Sequence, residues 1–181
     1  MDTAIPGPAR DLVRAVTQAV GTAISGNDVA TYDRAIAQLT TQPVAGRVLG
    51  DVLRSLLEDV HPNGFDSEDI TLLVGRCYRA AVAWLPPERV DATILLAALA
   101  GALGIHEPGV TYDALNVPRA ATDEYRDPDD TVPVTPPAWP DYAWHAPLLV
   151  ADLLPFGPAT LGGYLESTFA EYAREAREEL P

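Results

Sequence analysis

The sequence predicts an all-α fold, a single domain over residues 1–181 built from about six to eight helices around a central apolar helix at about 87–103. Three observations predict it. Apolar residues recur at three- and four-residue steps through most of the chain, these runs are separated by turn sequences such as Ser25-Gly26-Asn27 and His61-Pro62-Asn63-Gly64, and no segment reads as a strand. Thr131 to Thr135 alternates briefly, but Pro133 lies within it and Pro136 follows, so extended polyproline-like backbone is expected there.

The first helix is expected from about Pro8 to Ile24, with Leu12, Val13, Val16, Val20 and Ile24 at helical spacing. The second, about Asp28 to Thr41, places Val29, Tyr32, Ile36 and Leu39 on one stripe and has Asn27 or Asp28 available as N-cap. The third, about Val44 to Val60, carries Val48, Val52, Leu56 and Val60 beside a second row at Leu49, Leu53 and Leu57. Its opposite face reads Arg47, Asp51, Arg54, Glu58, alternating charges that suit a solvated surface.

Asp66-Ser67-Glu68-Asp69 reads as an N-cap followed by acids in a first turn, where the helix dipole favours negative charge. The fourth helix then runs to Trp84 with Ile70, Leu73, Val74, Cys77, Ala81, Trp84 and Leu85 inward. Pro86-Pro87-Glu88 is expected to start the fifth, which is apolar nearly all round from Ile94 and stops at Gly104. A helix apolar on every side must be enclosed by others, so this one is expected at the centre. Further on, a short apolar helix is expected at Ala146–Leu154, opened by Pro147, and a last one at about Pro158–Leu180.

Between them lies a long irregular strap, about 107–144, crowded with proline, acid and aromatic residues. Tyr112, Tyr125, Trp139, Tyr142 and Trp144 are its partner- or ligand-binding candidates, since large rings are favoured in interface cores and functional side chains gather on connecting segments. The plainer reading is that these rings plug grooves of their own bundle.

Composition excludes several functions. Hydrophobic residues make up 48% and charged residues 21%, an ordinary globular balance rather than the profile of disorder. The formal net charge is −14, most of it in the second half, and such a field disfavours phosphate backbones and anionic lipid surfaces. Neither nucleic acid nor membrane is expected as a partner. All 12 basic residues are arginine, so Schiff-base chemistry by a lysine of this chain is excluded. Arginine without lysine fits coding bias in a GC-rich bacterial genome, or halophile adaptation.

Cys77, the only cysteine, permits no disulfide within the chain. The apolar run Ile94–Ile105 is too short for a membrane span, which takes about 20 residues, and no secretory signal opens the chain, so a soluble, cytoplasmic protein is expected.

Chemistry-bearing motifs are sparse. Glu58-x-x-His61 has the spacing of a di-iron carboxylate helix, but the second copy and the facing carboxylates are missing. His106, His145, Asp113 and Asp141 could converge at one end of the bundle as metal ligands or an acid–base pair, without any fixed spacing to support it. No nucleophile elbow, phosphate loop or zinc-protease motif occurs. Gly46-x-x-x-Gly50 suggests close helix packing.

The favoured expectation is a non-catalytic protein that binds a protein partner or self-associates, with no cofactor. The alternative is a small-molecule or metal-dependent enzyme with a site near His106 and His145 under the strap.

Overall fold

The apolar periodicity resolves into seven α-helices in the computed structural model, which describes residues 7–42, 44–104 and 137–178. They are α1 (Gly7–Ser25), α2 (Val29–Thr40), α3 (Ala45–Val60), α4 (Ser67–Val82), α5 (Ala92–Ala102), α6 (Trp139–Leu153) and α7 (Leu161–Glu178). One-turn 3-10 helices occupy Pro87–Arg89 and Leu154–Phe156, and no strand occurs among the described residues.

Local chemistry sets the helix ends. The Asp28 carboxylate accepts the Ala30 N–H and so caps α2. At α4, Asp66 accepts the N–H groups of Glu68 and Asp69, while the Asp69 carboxylate accepts the Asp66 N–H, a reciprocal box that satisfies three otherwise unpaired donors. Beyond α5, Gly104 adopts φ +72°, a left-handed conformation glycine enters at little cost. The carbonyl of Ala102 accepts from Nε of Arg54 on α3, at 2.7 Å, which closes the end of α5 against its neighbour.

Two elements begin elsewhere than their prolines suggest. The fifth helix starts at Ala92, not at Pro87, because Pro87–Arg89 forms a separate turn and Asp91 caps the Thr93 N–H. Arg89 holds that turn through a two-pronged bond to Asp33 of α2, at 2.7 and 3.0 Å. The sixth begins at Trp139, seven residues before the expected Ala146, so the last part of the expected 107–144 strap is helical. Pro140 sits in its first turn, where a missing N–H costs nothing, and Pro147 lies inside it rather than at its start.

Both α5 and α6 are apolar nearly all round, and their positions differ. Residues 95–100 of α5 are all buried, with α3, α4 and α6 as its packing partners. Residues 143–150 of α6 are all buried, and this helix packs against α1, α2, α3, α4 and α5. It is therefore α6, not α5, that most of the bundle surrounds. The amphipathic α1, α2, α3 and α4 turn their stripes toward it, and α7 lies outside along α3 and α1. Among the described residues no single helix is long and apolar enough to cross a membrane.

Candidate functional site

The aromatic residues at the start of α6 are spent largely on their own bundle. Trp139 and Tyr142, three positions apart, face α3 at Gly46 and Gly50, four positions apart. A Cβ built on Gly46 would stand 3.1 Å from the Trp139 ring, and one on Gly50 would stand 3.5 Å from the Tyr142 hydroxyl. The glycine pair is thus a shallow trough for two rings, and the Trp139 indole N–H reaches the Thr40 carbonyl at 3.3 Å. Burial, reinforced by the nearby Asp51 carboxylate, pushes the Tyr142 hydroxyl up to about 12.

Trp144 goes deeper. Its ring meets Tyr32 edge-on at 4.8 Å, its carbonyl accepts the Tyr32 hydroxyl at 2.6 Å, and the Arg89 guanidinium lies 3.9 Å over its face. Tyr32 in turn meets Trp84 edge-on at 5.4 Å, so α2, α6, the turn after α4 and the Pro87–Arg89 turn share one aromatic cluster. Tyr112 and Tyr125 lie outside the described residues.

Of the metal candidates, His106 and Asp113 also lie outside the described residues. His145 is only 3% exposed, and both ring nitrogens are occupied: Nδ1 lies 2.7 Å from the Asp141 carbonyl and Nε2 accepts the Asp91 N–H at 3.0 Å. Asp141 contributes that carbonyl from the first turn of α6. A lone pair already engaged by Asp91 is not available to a metal. The other sequence pair is also parted: Glu58 is exposed, while His61 packs edge-on against Phe65 at 4.5 Å and lies 3.8 Å from Asp69. Among the described residues no three His, Cys, Asp or Glu side chains are grouped to hold a metal ion.

Sequence reasoning missed a groove of about 340 Å³ between α4 and the C-terminal half of α6, closed at one end by α1. Cys77, Ala81 and Leu148 form its apolar floor, and burial pushes the Cys77 thiol far up, so that it behaves as an inert apolar group. Ile24 and Phe156 stand on its rim, 56% and 58% exposed. Arg76 crosses the rim, bonded to Asp152 at 2.8 Å and stacked 4.6 Å over the Phe156 ring. The sequence hides this surface because it is assembled from alanines on α4 and α6 and a phenylalanine in a turn, none of which forms a stripe.

A second depression, between α1 and α2, is polar. Its Thr22 and Ser25 hydroxyls donate to the Gln18 and Gly21 carbonyls of α1 and its Thr31 hydroxyl to Asp28, the cap of α2, which leaves it an ordinary solvated surface.

No protein-family model matches the chain, and no curated protein or solved structure is detectably similar to it.

Proposed function

We propose that this chain is a non-catalytic interaction module that pairs with a second copy of itself through the groove between α4 and α6. The supporting observation is that a knob and a hole share one face: Phe156 is exposed beside the apolar trough it lines. A two-fold pair brings each patch onto its own counterpart, so each Phe156 can enter the other copy's trough. The Arg76–Asp152 pair on the same rim supplies both signs of charge to such a contact.

In this account the rings of Trp139, Tyr142 and Trp144 act as intramolecular cover, and α5 is an enclosed structural element. The acidic surface, net charge −14, keeps the protein off nucleic acid and anionic lipid and suits a cytoplasmic location.

Substitution separates the two surfaces. Ala80→Glu and Phe156→Ser change exposed groove residues. Both are expected to abolish self-association while leaving the unfolding temperature of the monomer nearly unchanged. Trp144→Ser is expected to lower that temperature, because the ring is buried within its own chain. Self-association that survives both groove substitutions would defeat the proposal.

A further inference from the structure

We infer that His145 is an acid-sensitive latch that ties the N-terminus of α5 to the first turns of α6 only while its imidazole is neutral. This rests on hydrogen-bond geometry and is independent of what occupies the groove.

The two contacts of the ring fix its tautomer. A carbonyl can only accept, so the nitrogen 2.7 Å from the Asp141 oxygen, Nδ1, carries the proton. An amide N–H can only donate, so Nε2, 3.0 Å from the Asp91 nitrogen, presents its lone pair. Asp91 is the N-cap of α5: its carboxylate serves the Thr93 N–H, and its own N–H is served by His145. One buried ring thereby joins residues 91 and 145, on helices separated by the whole 103–138 connection.

Adding a second proton turns Nε2 into a donor facing a donor. The Asp91 N–H loses its acceptor, and a charge appears at a site only 3% exposed. The charged groups acting on the ring are few. Asp141 on α6 and Asp91 on α5 both favour protonation, but burial outweighs them and holds the imidazole below its ordinary value. From α2 and the adjoining turn come neutral, buried Tyr32 and the Asp33–Arg89 pair, whose guanidinium is engaged over Trp144. On α3, Asp51 lies beside Tyr142, on α4 Arg76 is paired with Asp152, and the buried face of α1 is apolar, Leu12, Ala15, Val16, Ala19 and Val20.

The sign follows. The unfolded chain takes up this proton near pH 6.5 and the folded chain only at lower pH, so stability falls as pH drops through and below about 6.5 and flattens once the folded ring is protonated. Opening begins at the latch.

The test combines urea unfolding with amide hydrogen exchange between pH 7.5 and 5.5, using the full chain. Wild-type protein is expected to lose stability across that window. Its Asp91 amide is expected to lose protection, corrected for intrinsic rate, about tenfold for each pH unit by which the two ring pKa values differ, ahead of amides in the middle of α3. His145→Asn, which keeps a donor for Asp141, is expected to flatten the stability profile. Should His145→Asn not fold, nitrogen NMR of the wild-type ring decides: an Nδ1–H tautomer titrating below 6.5 supports the latch. A ring titrating at or above 6.5, or an Asp91 amide that loses protection only together with α3, overturns it.

Discussion

The Tyr164 hydroxyl on α7 donates to the Asp59 carboxylate on α3 at 2.7 Å, and eight residues further along α7 the Tyr172 hydroxyl makes the same bond to Asp51, eight residues earlier on α3. Equal steps in opposite directions make this an antiparallel register mark. Arg47 completes it, lying 4.3 Å over the Tyr172 ring and bonded to Glu175 at 2.8 Å. The outermost helix is thus fastened by polar bonds along a seam where few of its residues are buried.

Tyr164→Phe is expected to cost about 1.5–3 kcal/mol, the range of a hydrogen bond to a charged acceptor, with less in Asp59→Asn/Tyr164→Phe than the sum of the two single losses. Urea unfolding of the double-mutant cycle measures it. Additive losses would mean that the pair does not couple.

The same tyrosines make the fold sensitive to alkali. Burial, reinforced by Asp59, raises the Tyr164 hydroxyl to about 12, and burial with Asp51 raises Tyr172 further. An acid whose folded pKa is raised is stabilising while protonated. That contribution is complete below the unfolded value near 10 and is lost as pH rises from there through the folded values. Stability is expected to fall between pH 10 and about 12 in wild-type protein, and less steeply in the Tyr164→Phe/Tyr172→Phe variant, by unfolding followed at 222 nm.

Leu99 is fully buried in α5. Leu99→Ala is expected to destabilise the protein by about 2–5 kcal/mol, the usual cost of removing a buried leucine side chain. A denaturant titration showing a loss under about 1 kcal/mol would mean that α5 is not enclosed.

Two helical glycines are expected to respond in opposite directions. A Cβ on Gly21 of α1 would meet nothing within 4 Å, so Gly21→Ala should stabilise by about 0.5–1 kcal/mol through the unfolded state. At Gly46 the Trp139 ring stands 3.1 Å from the same position, so Gly46→Val should destabilise by about 1–3 kcal/mol. Thermal unfolding of both variants checks the trough.

Much of the bundle was legible because helix signals are local. The stripes of α1 to α4, the caps at Asp28 and Asp66 and the stop at Gly104 each depend on a few adjacent residues. What was not legible depended on distant partners. Pro147 reads as a helix start because the packing that tolerates it, from five other helices, is invisible in sequence. Asp33, 56 residues from Arg89, holds the turn that delays α5. His145 reads as a metal candidate because the Asp91 amide that fills its lone pair lies 54 residues away. The groove was the least legible of all, since three helices contribute its small side chains and no one of them carries a pattern.

Sedimentation velocity of the wild-type protein at rising concentration, in low and in high salt, tests self-association most directly. Each copy carries a formal charge of −14, so pairing through an apolar trough must overcome mutual repulsion that salt screens. A monomer–dimer equilibrium that tightens as salt increases and is absent in Phe156→Ser is expected. A monomer at every concentration and salt, or a dimer indifferent to Phe156→Ser, would contradict it.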